Sequence, residues 1–126
     1  MDQMCTNLFA YGTLMDPFLM EDLCGLLPRR VPARLRGYSR WCLKDRDYPA
    51  IVPDQAGSID GVLYLGLPQS AWKRLDEYEG RLYERIPVEV LPAQGSSPVP
   101  AWTYVLKKRF RSLILRHPWP LPVKSS

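Results

Sequence analysis

Proline and glycine constrain this chain more than any other feature. Thirteen prolines and eight glycines are scattered through 126 residues, a density that favours turns and short strands over long helices. Between these breakers the apolar stretches read as strands. They are Asn7–Tyr11, Arg29–Leu43 (one long strand, or two bent at Gly37), Ala50–Val52, Ile59–Leu67, Leu82–Leu91 and Ala101–Leu106. Asp54–Ser58 reads as a turn and Pro92–Pro100 as a loop. In Leu82–Leu91 the two-residue period puts Ile86, Val88 and Val90 on one face and Tyr83 and Arg85 on the other. Arg34, Arg36 and Arg40 are expected to project from their strand as a solvated face.

Two stretches read as helix. Asp16 is a suitable N-cap and Pro17 a suitable first helical residue, so one helix should run from Pro17 to about Cys24 and stop at Gly25. The other follows Pro68. The fold class expected is α+β: a small, mostly β, barrel-like twisted sheet of about six strands with two short helices. We expect a single domain over 1–126, in which 107–126 forms a basic, proline-rich C-terminal tail packed as an irregular strap with Trp119 as its anchor.

The second helix carries the most pointed signal. From Gln69 onward the chain reads as a short helix closed by Gly80, and Trp72, Leu75 and Glu79 stand at i, i+3 and i+7. That spacing aims a carboxylate the same way as two large apolar side chains. It also places a negative charge at the negative end of the helix dipole. Burial and dipole together favour the protonated acid, so the Glu79 pKa should be raised toward the range where a carboxyl exchanges protons at neutral pH. The competing reading is a glutamate that is solvated or paired, with Arg81 and Arg85 at hand. Asp76, one turn earlier, can serve as a structural acceptor, with Arg85 as its partner holding the helix to the strand.

Composition excludes several classes. The net charge of +4 is too modest to argue for nucleic acid, though it suits an anionic small molecule. Cys5, Cys24 and Cys42 are odd in number and lack C-x-x-C spacing, which fits reduced thiols in a cytoplasmic protein rather than a disulfide framework. There is no basic segment leading into an apolar signal core and no apolar run near the ~20 residues of a membrane span. His117 is the only histidine, without Ser-His-Asp or Cys-His company. One histidine and three scattered cysteines do not make a metal set, so no metal is expected. The Lys107–Arg111 cluster reads as a solvated charge run.

Tyr11-Gly12-Thr13-Leu14 joins the first strand to the first helix. A glycine there exposes neighbouring backbone N–H groups and lets a ligand approach, so the turn can hold a carboxylate or an oxyanion. Three further strings follow in order: Tyr48-Pro49-Ala50-Ile51, Gly61-x-Leu63-Tyr64, and Leu75-Asp76-x-x-Glu79-Gly80-x-x-Tyr83-x-Arg85. In this combination, over roughly Leu8 to Val105, the chain resembles the γ-glutamylcyclotransferase-like superfamily. It is most similar to the small branch that includes γ-glutamylamine cyclotransferases. The Asp-x-x-Glu-Gly-x-x-Tyr-x-Arg string is the most specific part.

The resemblance implies a small twisted β-barrel with flanking helices. It implies Glu79 as catalytic acid and base, and the turn Tyr11, Gly12, Thr13 and Leu14 as the substrate-binding element acting through backbone groups. It implies no cofactor and no metal. Tyr83 is a further candidate, pointing into the cleft to donate a hydrogen bond to substrate. The expected ligand is a γ-glutamyl small molecule, with no nucleic acid and no membrane as partner and the protein a monomer. The competing expectation is a non-catalytic module on the same fold that binds a small metabolite or a protein segment.

Overall fold

The computed structural model describes residues 6–95 and 97–119. Strand β1 (Leu8–Ala10) leads through a 3-10 turn at Thr13–Met15 into helix α1 (Pro17–Cys24). Strands β2 (Arg29–Leu43) and β3 (Pro49–Leu65) follow as a long antiparallel hairpin, then helix α2 (Ala71–Glu79). Strands β4 (Tyr83–Pro92), β5 (Val99–Leu106) and β6 (Ile114–Pro118) complete the chain, with a 3-10 helix at Lys108–Leu113 before β6.

The strand order is β3-β1-β5-β4-β2-β6, and β3 also pairs with β2. That extra pairing closes β1, β5, β4, β2 and β3 into a barrel, with β6 added outside on β2. All neighbours are antiparallel except β1 and β5, which run parallel at Leu8↔Trp102. The expected α+β barrel with two short α-helices is therefore what forms. No helix among the described residues is long and apolar enough to cross a membrane.

Helix α1 forms for the reasons its sequence states. Asp16 accepts from the Phe18 N–H at 3.0 Å, Pro17 opens the helix, and Gly25 ends it with φ of 80°. Helix α2 ends at Gly80, whose φ of 79° and ψ of −165° lie in a region that a side chain makes costly. It is not the left-handed conformation that Gly25 adopts at the end of α1. The chain leaves the helix extended and enters β4 almost at once.

Two hydrophobic clusters divide the interior. One packs helix residues Met20, Trp72 and Leu75 against Leu8, Tyr64 and Leu106 of the sheet. The other draws only on strand residues and the Tyr11 that follows β1, among them Phe9, Leu35, Leu63, Val90 and Val105. Leu8 and Phe9 belong to different clusters because successive strand residues face opposite ways. β1 is thus covered on both faces, which explains its uninterrupted apolar run.

Three expectations need correction. Asp54–Ser58 is not a turn between strands but part of the continuous β3. The ladder slips there, from Arg36↔Ser58 to Tyr38↔Pro53, so Asp54–Gly57 stand opposite Gly37 alone. Asp54 accepts from the Ala56 N–H at 3.1 Å, so turn chemistry is present inside a bulged strand. Second, the described part of the segment beyond Lys107 is not an irregular strap: Ile114–Pro118 pairs with β2 through Leu43↔Ile114 and Cys42↔Leu115. Trp119 does act as an anchor, its indole N–H donating to the Asp47 carbonyl at 3.2 Å. Pro120 and Pro122, like Cys5, lie outside the described residues. Third, Arg40 is not solvated. It is half-buried and donates to the carbonyls of Tyr11 at 2.7 Å and Asp60 at 3.0 Å. Arg34 does remain exposed, paired with Asp60 at 2.8 Å.

Candidate active site

The end of β1, the turn after it, the end of α2 and the starts of β3 and β4 converge on a cavity of about 200 Å³. The six candidate catalytic and substrate-binding residues of the sequence, Tyr11, Gly12, Thr13, Leu14, Glu79 and Tyr83, all line it. The sequence reading missed Phe9, Ala10, Tyr48, Pro49, Tyr78 and Tyr104 as wall residues. His117 stands exposed on β6 and takes no part in the lining.

Glu79 arrives on the last turn of α2, half-buried, below Trp72 and Leu75, which are buried as their spacing foretold. Neither arginine considered as its partner pairs with it. Arg85 goes to Asp76, at 2.9 and 3.2 Å, and Arg81 lies over the Phe110 ring at 5.8 Å. Arg85 is further held between Trp72 and Trp102, its guanidinium 4.7 Å from each ring.

The tyrosines around Glu79 are committed elsewhere too. Tyr11 donates to the Tyr104 carbonyl at 2.6 Å, Tyr83 to the Pro49 carbonyl at 2.6 Å, and Tyr104 to the Asp76 carboxylate at 2.6 Å. Among the described residues, then, nothing donates to the Glu79 carboxyl. Taken partly out of water and given no donor, the ionised form is disfavoured, and burial pushes the Glu79 pKa up to about 7. Burial first, and then the charge of Glu79, raise Tyr11 and Tyr83 above the ordinary tyrosine value. Burial, with Asp76, likewise raises Tyr104, so all three phenols stay neutral around it. Tyr83 lines the cavity as expected, but its hydroxyl hydrogen is held by Pro49, so it offers a ligand an acceptor and a ring rather than a free donor.

Across the cavity the turn at Tyr11–Leu14 is unusually one-sided. Each of its carbonyls is taken by the protein: Tyr11 by Arg40, Gly12 by the Met15 N–H at 2.9 Å, Thr13 by the Asp16 N–H at 3.1 Å, and Leu14 by the Tyr64 hydroxyl at 2.8 Å. No described residue accepts from the N–H groups of Gly12, Thr13 or Leu14. Such a run of unpaired donors favours an anion or a developing oxyanion. Gly12 is required on steric grounds, since a methyl group there would lie 2.9 Å from the Pro49 ring. At the mouth, the Thr13 and Tyr78 hydroxyls share a hydrogen bond of 3.1 Å, tying the turn to α2.

The arrangement thus brings an unpartnered carboxyl, able to exchange a proton near pH 7, into the same small tyrosine-lined hollow as the donor-bearing turn. Among the described residues no group of three or more His, Cys, Asp or Glu side chains gathers as a metal site would need.

Comparison with known proteins agrees on the fold and the kinship. Residues 8–121 match the family described as gamma-glutamyl cyclotransferase, AIG2-like. AIG2-like protein C of Arabidopsis thaliana is 38% identical over 103 residues, covering 82% of this chain and 60% of that protein. The chain spans about 60% of the length of the curated relatives it matches. A solution structure of another Arabidopsis thaliana protein superimposes with a TM-score of 0.76 at 31% identity, over 86% of this chain and 73% of that one. An AIG2-like protein of Mus musculus shares the fold, with a TM-score of 0.73 at 17% identity over 98% of both chains.

Proposed function

This chain belongs to the gamma-glutamyl cyclotransferase, AIG2-like family, and from that premise we propose that it is a cyclising enzyme. It acts on a γ-glutamyl amine or amide by intramolecular aminolysis and releases 5-oxoproline and a free amine. In this reading it works as a cytoplasmic monomer and uses no cofactor. The observation that carries the reading is the unpartnered Glu79, raised to about 7, sharing one cavity with the N–H-bearing turn Gly12–Leu14.

The substrate folds so that its α-amine faces its own γ-carbonyl. Ionised Glu79 takes a proton from the α-ammonium and frees the nucleophile. The amine attacks the γ-carbonyl carbon, the C–N bond of a five-membered ring forms, and the carbonyl oxygen gathers negative charge toward the N–H groups of Gly12, Thr13 and Leu14. Glu79, now protonated, returns the proton to the departing nitrogen as the old C–N bond breaks, and the extra proton still on the ring nitrogen passes through the freed carboxylate to the released amine, which leaves as its ammonium. Proximity is the largest contribution: holding two groups of one molecule in the reactive conformer accounts for part of the ~7–11 kcal/mol available from orientation. A positioned acid and base adds about 3–5 kcal/mol. Together these suffice without a covalent enzyme intermediate.

The test is to incubate the protein with γ-glutamyl amines, γ-glutamyl-lysine isopeptide and γ-glutamyl dipeptides and to measure 5-oxoproline. Release from at least one class, abolished in Glu79→Gln, is the expected result. No release from any of them would favour the non-catalytic binding module.

A further inference from the structure

Arg40 sits outside the cavity wall yet touches the turn that forms it. Its guanidinium donates to the Tyr11 carbonyl at 2.7 Å and, from the same nitrogen, to the Asp60 carbonyl on β3 at 3.0 Å. It is half-buried and lies 5.8 Å from the centre of the Trp119 ring, which β6 brings alongside β2. A cation withdrawn from water onto two backbone carbonyls is a costly arrangement for a residue that only decorates a strand. Its place in the turn gives it a use.

The Tyr11–Gly12 peptide is planar, and in the trans form its C=O and N–H point in opposite directions. A carbonyl pinned to Arg40 therefore turns the Gly12 N–H away from Arg40. A charge-assisted hydrogen bond at the carbonyl also draws electron density from the amide, which strengthens the N–H as a donor. Gly12 lines the cavity and Arg40 does not. The peptide plane thus joins a half-buried cation to the cavity.

We propose that Arg40 is a positioning residue, orienting and polarising the Gly12 N–H toward an anionic group or developing oxyanion in the cavity. The inference rests on the reading of Tyr11–Leu14 as the substrate-binding turn. It adds that the donor strength of that turn is set from behind, by a side chain that never meets substrate.

Two readouts on the 126-residue chain test it: steady-state release of 5-oxoproline, and the Gly12 amide resonance in ¹H–¹⁵N spectra with and without 5-oxoproline. In Arg40→Gln, kcat should fall about tenfold to a hundredfold with a smaller change in KM. The Gly12 amide proton should move upfield and lose its response to 5-oxoproline. Arg40→Lys, which keeps the charge but not the fork, should recover part of both. Arg34→Gln, which breaks an exposed pair to the same Asp60, should match wild type. Wild-type kcat together with an unchanged Gly12 resonance in Arg40→Gln would overturn the proposal. If Arg40→Gln does not fold, Arg40→Lys decides by the same two criteria. If wild type releases no 5-oxoproline, the enzymatic reading fails, and the Gly12 response to bound 5-oxoproline still decides on Arg40. An absent response in wild type overturns both.

Discussion

Helix α2 presents two carboxylates one turn apart, and they meet opposite fates. Asp76 is nearly half exposed, with 45% of its side chain accessible, and yet it is heavily partnered, by Arg85 and by the Tyr104 hydroxyl. Glu79 is more deeply placed and has no donor at all among the described residues. Burial leaves it raised to about 7. The difference teaches that exposure alone does not sort a structural carboxylate from a chemical one. What sorts them is where the neighbouring donors are directed. Arg85 and Tyr104 satisfy Asp76, Tyr11 and Tyr83 satisfy backbone carbonyls, and Glu79 is left as the group whose proton remains free to move.

Of the two carboxylates, Glu79 should be by far the more sensitive to substitution. Glu79→Gln keeps the shape and removes the proton acceptor, so 5-oxoproline release should fall by about 10³-fold or more, while binding measured by calorimetry is kept. Gly12→Ala comes next. The added methyl meets the Pro49 ring at 2.9 Å, which should displace the turn and lower kcat/KM about a hundredfold with Glu79 untouched. Asp76→Asn sharpens the contrast from the other side. It weakens the bonds to Arg85 and Tyr104, and chemical denaturation should show a loss of about 1–2 kcal/mol, discounted for the exposure of the pair. Turnover should drop only a few-fold, through slackening of the helix end.

The smallest effect has the most informative sign. A carboxyl whose pKa is raised on folding binds more protons in the native state than in the unfolded state between its ordinary value of 4.5 and about 7. Stability contributed by protonated Glu79 is therefore present below about pH 4.5 and is lost as pH rises through 7. Glu79→Gln should be more stable than wild type at pH 8, by about 1–2 kcal/mol once the ~3 kcal/mol of the full shift is discounted for the water that still reaches this half-buried carboxyl, and nearly equal to it at pH 4.5. Thermal melts of both proteins at the two pH values check this. Asp76→Asn should show no such gain at pH 8.

Much of this contrast was legible in the sequence because it is local. The spacing of Trp72, Leu75 and Glu79 fixes a helix face, and Asp76 with Arg85 spans one helix end and the strand after it. The caps of α1 are equally local. What escaped was made by contacts between distant segments. Tyr104 reaches Asp76 from β5, and Arg40 meets the Tyr11 carbonyl only because β1, β2 and β3 neighbour one another in the closed barrel. An arginine on a strand reads as solvated unless the covering element is known, and here that element includes Trp119 from the far end of the chain. The β3 bulge was misread for a different reason. Asp54, Gly57 and Ser58 carry turn chemistry, and pairing with β2 on either side absorbs that turn into a strand.

Glu79 can serve as acid and base in turn only if its carboxyl, lacking a partner, titrates near neutrality. Carbon-13 labelling of the glutamate side chains and a pH titration of the Glu79 carboxyl resonance measure this directly. A midpoint near 7, coincident with the acid limb of kcat/KM, is the predicted result. A midpoint near the ordinary 4.5 would contradict it.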